Sequence, residues 1–319
     1  MEFKFQILSP DEWAYYSSLY NCDTLKADQN FLNSLANTYS LKVLHVAIKQ
    51  KEDVYILTSF LIKDKKILSP NHYYYQFFWQ NSNKSQWHHT EALYFLLDEL
   101  KKSYKAINVR LPISVKDIRP FKWHGFTIET RYTLVKYLND GKLHKNLSRI
   151  LKHDVTVNGY KFETNTFWKE SLAFHDKELK NFKFAETYIR QVIRWFYALQ
   201  KANLAYTFNV FYKDEFVSSI IAIVDEKDKK AYFPLIGTVK EHSSKGISSF
   251  LYQYALNQLK DLGVEKVDLY GADMREIAMF KQKFEPELQN FYVAKYSVYN
   301  NKLQNLIMYL KTFVKKIVR

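Results

Sequence analysis

Cysteine, glycine and proline are all scarce in this 319-residue chain. The single cysteine, Cys22, excludes an internal disulfide and a cysteine-built metal cluster, and it points to a reducing compartment. Seven glycines and six prolines leave no Gly/Pro-rich linker and no low-complexity segment. No apolar run approaches the ~18 residues that a membrane-spanning helix needs; Ile220 to Val224 is typical of the longest. The opening Met1–Trp13 has no basic start followed by a long apolar stretch, so no signal peptide is expected and a cytoplasmic protein is. His45, His72, His88 and His89 have no carboxylate or cysteine at ligand spacing, so no metal is expected. A Walker loop, a Ser-His-Asp order and a dinucleotide fingerprint are absent as well.

What is present is apolar and aromatic mass. Hydrophobic residues make up 47% and aromatics 17%, and the length suits about two domains. Net charge is +14, unevenly placed. Residues 1–140 carry 18 basic and 14 acidic side chains, residues 141–300 carry 24 and 19, and residues 301–319 carry five and none. A mildly basic surface serves solubility; it also suits a groove for nucleotide phosphates, CoA or tRNA.

A repeat organises the chain. Leu100-Lys101 returns as Leu259-Lys260, Phe121-Lys122 as Phe280-Lys281, and Lys136-Tyr137 as Lys295-Tyr296, always 159 positions later. Phe126 matches Phe284 at a spacing of 158. Each copy reads as an amphipathic helix, a short strand, a Phe-Lys step and an aromatic strand. Two distant copies imply paired domains rather than a solenoid, with a ligand groove expected at their interface. Domains are expected at 1–140 and 141–300, followed by a basic segment 301–319.

Local signals fill in the elements. Ser9-Pro10-Asp11 starts a helix after an edge strand over Glu2–Leu8. Strands are expected at Lys42–Lys49, Val54–Ile62, Lys66–Leu68 and Ile107–Leu111, with Thr90 capping a helix that ends near Tyr104. A basic helix should cover Leu143–His153. Charged turns at 213–215 and 225–229 join three antiparallel strands, Ala205–Tyr212, Phe216–Val224 and Lys230–Ile236. A helix from Gly246 ends before Gly263, and a strand Lys266–Tyr270, a helix Met274–Phe284 and a strand Gln289–Tyr296 follow. The expected class is α/β, an α+β mixed sheet with helices on its faces.

The second-half motif resembles the GNAT acyltransferase fold. It comprises Lys245-Gly246-Ile247-Ser248-Ser249-Phe250-Leu251, Leu262-Gly263, Asp268-Leu269-Tyr270-Gly271 and Phe280-Lys281-Gln282-Lys283-Phe284. Two such units in one chain resemble the Fem-type aminoacyl transferases and the double-GNAT "BioF2-like" acyltransferases. The basic helix at Leu147–Lys152 and the tyrosine run after Ser69-Pro70 are similar to features of that group. The turn at His242–Ser248 holds one glycine where single GNAT enzymes carry Gln/Arg-x-x-Gly-x-Gly/Ala, and Glu285-Pro286 replaces a glycine after the last Phe.

This resemblance implies attack of an amine on an activated acyl group, without a tightly bound cofactor. The co-substrate donor would be an aminoacyl-tRNA or an acyl-CoA. Lys281, Arg275, Asp273 and Asp268 are the candidates for charge stabilisation and proton transfer, with Lys122 the counterpart of Lys281 in the first half. Ser244, Lys245, Gly246 and Ser248 would hold donor phosphate at a helix N-terminus. Tyr73, Tyr75 and Trp79 would line the acceptor groove, and Arg149 and Lys152 would grip acceptor phosphate from one helix face. Each has a plainer reading as core or solvated surface. The implied activity is N-acyl or aminoacyl transfer to a cell-envelope precursor. The alternatives are acetyl-CoA-dependent acetylation of an amino sugar, or a non-catalytic protein that binds RNA or a nucleotide-linked glycan. Residues 301–319 place Leu303, Leu306, Ile307, Leu310, Phe313, Val314 and Ile317 on one stripe, which suits a helix packed on the second domain or docked on an anionic membrane.

Overall fold

The computed structural model describes residues 2–70, 72–153 and 155–298; the segment 301–319 lies outside the described residues. In chain order the first elements are β1 (Lys4–Leu8), α1 (Pro10–Leu19), a 3-10 turn (Leu25–Ala27) and α2 (Gln29–Tyr39). Next come β2 (Lys42–Gln50), β3 (Asp53–Lys63), β4 (Lys66–Leu68), β5 (Phe78–Gln80), α3 (Gln86–Ser103), β6 (Ala106–Arg110), α4 (Arg119–Trp123) and β7 (Thr127–Tyr137). The remainder is α5 (Lys145–Ile150), β8 (Tyr160–Thr164), α6 (Trp168–Asn181), α7 (Glu186–Lys201), β9 (Ala205–Tyr212), β10 (Glu215–Asp225), β11 (Lys230–Thr238), α8 (Lys240–Ser243), α9 (Ile247–Asp261), β12 (Lys266–Asp268), α10 (Arg275–Gln282) and β13 (Glu287–Ser297).

Local chemistry explains most boundaries. Ser9 and Glu12 form a reciprocal capping box on α1, and Asp28 accepts from Phe31 N at 2.7 Å to start α2. Ser85, not Thr90, caps α3: its side chain accepts from His88 N, whereas Thr90 lies one turn inside and donates to Gln86 O at 3.0 Å. The basic helix is shorter than its sequence pattern. It stops at Ile150, so Arg149 is helical and Lys152 lies in the following turn. Turns manage without glycine: Lys213 and Asp214, between β9 and β10, both take positive φ (47° and 68°). That is the backbone a right-twisted hairpin wants.

The fold resolves into two compact units that are not consecutive in sequence. Unit 1 takes Met1–Cys22, Ser40–Thr130 and the segment from Phe291; unit 2 takes Asp23–Tyr39 and Arg131–Asn290. The sheet of unit 1 runs β1-β2-β3-β4-β6-β13, with β5 also beside β3. Its neighbours are antiparallel apart from the parallel β4–β6 pair. The sheet of unit 2 runs β8-β9-β10-β11-β12-β7, again antiparallel apart from one parallel pair, β11–β12. The two topologies match step for step.

The repeat is therefore real at the level of element order, since α3-β6-α4-β7 is answered by α9-β12-α10-β13. The partners of the last strands differ from the consecutive segments read in the sequence. β6 pairs with Val293–Ser297 of β13, and β12 pairs with Val135–Tyr137 of β7. Each unit thus takes its final strand from the other half of the chain. Hydrophobic burial drives both cores: Ile48, Ile56, Phe60, Leu96, Leu100, Val109 and Phe121 in unit 1, and Phe208, Ile220, Phe233, Leu251, Tyr252, Val267 and Phe284 in unit 2. Residues 23–39 join unit 2 because α2 packs on α7. Phe31 meets Trp195 at 6.0 Å, and the fully buried Trp195 indole donates to Ser34 Oγ at 3.1 Å.

Candidate functional site

The parallel pair of unit 2 opens like a wedge. β11 and β12 are in register only over Lys230–Lys266, Ala231–Val267 and Tyr232–Asp268. β11 then continues to Thr238 while β12 ends at Asp268. Beyond the apex the chain of β12 turns toward β7 instead: Leu269 N donates to Leu134 O (2.8 Å) and Ala272 N to Tyr132 O (3.2 Å). Pro234 sits just past the apex, and the β10–β11 register slips between Ile221 and Ile223. Proline has no N–H to give a neighbouring strand, so its presence suits a strand freed on one side.

The mouth of the wedge leads to the N-terminus of α9. Gly246 is its N-cap residue, at φ 82°, and no side chain caps the first turn. Open backbone N–H groups at a helix start favour an anion. Around them Ser248 donates to Thr238 Oγ1 (3.0 Å), Ser244 donates to Glu241 O (2.9 Å), and Lys245 is exposed with its ammonium 5.4 Å from the Tyr212 ring centre. A Cβ added to Gly246 would meet Ile150 of α5 at 3.5 Å. The exposed Arg149 and Lys152 flank that contact, so residues expected to grip the acceptor lie beside the expected donor turn.

The wall opposite β11 is held by Lys281. Its ammonium donates to the carbonyls of Leu269 and Tyr270, both at 2.6 Å, with Gly271 O at 3.4 Å. Tyr270 and Gly271 have positive φ (56° and 43°), a conformation that this clamp stabilises. Lys281 is only 5% exposed, and burial lowers its pKa to about 8 against the opposing pull of Asp268. The expectation that Lys281 offers its charge to a phosphate or an oxyanion is corrected, and so is its plainer reading as a surface lysine: its protons are committed to the protein's own carbonyls. Lys122, its counterpart by repeat, is exposed, so the match does not extend to the side chains' surroundings.

Asp268 is fully buried at the apex. Its carboxylate accepts from Thr133 Oγ1 at 2.5 Å and from Tyr270 N at 3.1 Å, and pairs with Lys230 at 3.4 Å. A carboxylate so enclosed organises the apex and cannot reach a substrate amine, which corrects its reading as a base. Asp273 is tied to the backbone of β7, accepting from Tyr132 N at 3.3 Å and pairing with Arg131 at 3.4 Å. Arg275 stands exposed in the first turn of α10, with no partner among the described residues.

Unit 1 has the same topology but a filled wedge. Residues 72–77 lead back to β5, with the rings of Tyr73, Tyr75 and Phe77 buried. Gln76 N donates to Arg110 O (2.8 Å), Ser69 to Asn108 O (3.1 Å), and the Arg110 guanidinium to Pro70 O (3.2 Å) and Tyr73 O (3.3 Å), which stitches the excursion to β6. Tyr73 and Tyr75 are 4% and 1% exposed, and Tyr75 meets Phe291 edge-on at 5.1 Å. Neither ring has a face for a ligand, so the groove-lining expectation for both is corrected. Trp79 is half-buried on β5 against Tyr20, at 4.7 Å. The matching helix start is also closed, because Ser85 accepts from His88 N. Among the described residues, the start of α9 in unit 2 has no such side-chain cap.

Sequence reasoning missed Lys26, Lys230 and Tyr232, which crowd the apex. Lys230 and Tyr232 lie in a strand that reads as ordinary core, and Lys26 comes from a segment more than two hundred residues away in sequence. Pro234 within a central strand was the available signal that β11 loses a neighbour there.

Comparison with known proteins supplies the fold class. No family model matches the chain, and neither does any curated protein. Solved structures do match in fold. The crystal structure of FemX aligns with a TM-score of 0.63 at 12% identity, covering 95% of this chain and 99% of its own. A tandem GNAT protein from the clavulanic acid biosynthesis pathway gives 0.57 at 12%, covering 92% and 98%. The C-terminal domain of a lysylphosphatidylglycerol synthetase from Agrobacterium fabrum, itself named provisionally, gives 0.57 at 13%, covering 93% and 96%. The chain has the Fem-type double-GNAT fold.

Proposed function

We propose that this protein is an N-acyl or aminoacyl transferase with a single donor site, in unit 2, acting on the amine of a cell-envelope precursor. The observation that carries the reading is the wedge between β11 and the segment 269–273, opening onto the uncapped N-terminus of α9. An elongated donor with a phosphate group near one end and an activated carbonyl at the other suits that shape. Phosphate meets the α9 N–H groups and Lys245, and the acyl end lies toward the apex beside the backbone of β11. The acceptor amine attacks the carbonyl; the protein orients both reactants and offers hydrogen-bond donors to the developing oxyanion. The solved structures of similar fold include proteins named for acetyl transfer and for lysylphosphatidylglycerol synthesis, which supports acyl or aminoacyl transfer in general.

Exposed Arg149, Lys152 and Lys245 around one helix start favour a donor with more phosphates than CoA carries, hence an aminoacyl-tRNA. Binding titrations test this. An aminoacyl-tRNA should bind with an affinity that falls steeply with salt, and Lys245→Glu should weaken it while leaving the thermal midpoint unchanged. Tight acetyl-CoA binding with little salt dependence would favour acetylation of an amino sugar. Affinity for uncharged RNA without turnover would leave a binding protein.

A further inference from the structure

The apex of the wedge holds a group that the proposed chemistry has not yet used. Lys26, in the 3-10 turn before α2, reaches over the ring of Tyr232, its ammonium 4.6 Å from the centroid. Lys230 lies 4.7 Å from the same centroid. Tyr232 is the last β11 residue in register with β12, facing Asp268, and its ring stands 5.7 Å from Tyr270. Lys26 is therefore brought to the point where the strands part. The 3-10 turn is anchored there: Asp23, at its start, pairs with Lys227, and Asp225 of β10 takes a hydrogen bond from the backbone of Leu25. Lys26 is half-buried, and Tyr232 and Asp268 are buried.

We infer that Lys26 is the general base of the transfer, taking the proton from the acceptor's ammonium group as it enters the apex. This rests on the transferase reading above. The charged and titratable groups facing Lys26 are Lys230 and Tyr232 of β11, Asp268 of β12, Asp225 of β10 and Asp228 of the β10–β11 turn. Burial, then the neighbouring Lys230 charge, lowers its pKa to about 7, although the three carboxylates pull the other way. At neutral pH such an amine is about half unprotonated, against roughly one in 3,000 for an ordinary lysine.

The step balances simply. Neutral Lys26 takes one proton from the acceptor R–NH3+, giving R–NH2 and a lysine ammonium. The amine nitrogen attacks the acyl carbonyl, so a C–N bond forms and the carbonyl oxygen becomes an oxyanion. The bond from carbon to the leaving sulfur or oxygen then breaks. The leaving group departs with the second amine proton as a thiol or hydroxyl, and Lys26 returns its proton to solvent.

Two measurements on the full chain test the inference. Trace acetic anhydride labelling, read peptide by peptide by mass spectrometry, should half-saturate Lys26 near pH 7, well below the range in which an ordinary lysine amine reacts. Lys26→Arg, which keeps the charge but cannot act as a base, should lower kcat by about 100- to 10,000-fold. Its donor Kd should not change, and the acidic limb of the wild-type rate profile near pH 7 should disappear. Labelling of Lys26 in line with the exposed lysines, or turnover preserved in Lys26→Arg, would overturn the inference, as would a loss confined to donor binding. Absence of turnover with either donor class in the wild type would instead remove the transferase reading and this role with it. The labelling curve would still report whether the amine is activated, so the two failures are distinct.

Discussion

Replacing Lys281 by methionine gives a sharp test of the wedge's construction. Methionine keeps most of the apolar stem and removes the ammonium. The carbonyls of Leu269 and Tyr270 each lose a 2.6 Å partner inside the protein. An unsatisfied buried polar group costs about 1–3 kcal/mol, so the loss at pH 7 should be roughly 2–5 kcal/mol. The pH dependence separates this account from a simple packing defect. The pKa of Lys281 falls from 10.5 in the unfolded chain to about 8 in the fold. Between those values the unfolded chain keeps a proton that the folded protein has released, so stability rises with pH across that window. A fall of that size is worth about 3 kcal/mol. Urea denaturation of wild type and variant from pH 7 to 10 should therefore show the wild type gaining on the variant as pH rises. Parallel curves would mean that the carbonyls hold the ammonium as well as water does, and the assigned cost of burial would be wrong. Equal stability at pH 7 would refute the clamp itself.

Burial lowers the pKa of His45, which is stacked on Trp13 at 4.3 Å, from 6.5 to about 4. The folded state then refuses a proton that the unfolded chain accepts, so stability should fall as pH drops from 6.5 to 4, and His45→Phe should flatten that slope in acid titrations. Tyr75→Ala should cost about 3–5 kcal/mol by calorimetry as a cavity in unit 1 while leaving donor affinity unchanged. A loss of affinity without a loss of stability would restore the groove reading. Gly246→Ala should cost roughly 1–2 kcal/mol, because its φ of 82° strains any side chain although Ile150 leaves room for one. Donor binding should suffer more than stability, since the same backbone presents the α9 N–H groups.

The fold was legible where periodicity and turn chemistry agree. The hairpins from β9 to β11, the capping box at Ser9 and the glycine after α9 all lie where local rules put them, and the spacing between Phe121 and Phe280 marks a real repetition of elements. The site was legible only in outline. The Gly246 turn and the Phe-Lys step can be read from the sequence, yet it carries no sign that Lys281 turns inward while Lys122 turns outward. Burial depends on which carbonyls lie within reach after folding. The tyrosine run misled for a related reason: Tyr73 and Tyr75 look like a binding surface in one dimension and are packed against β6 in three. Lys26 was invisible because its partners Tyr232, Lys230 and Asp268 are brought to it by the turn before α2, a tertiary event that leaves no local signature.

The exchange of final strands carries a consequence for how the chain is made. A ribosome that has released residues 1–140 has delivered β6 and its helices, but the strand that hydrogen-bonds Ala106–Arg110 is Val293–Ser297, still to be synthesised. Until then β6 presents an open row of N–H and C=O groups, the kind of edge that recruits another strand. The nascent first half must wait almost the whole of translation before its sheet can close. Its counterpart meets no such delay, since Val135–Tyr137 are already waiting when Lys266–Asp268 emerge. Folding should therefore proceed from unit 2 to unit 1, against the order of synthesis. A chain interrupted before residue 291 should leave the ribosome with a sound second unit and an unfinished, association-prone first one.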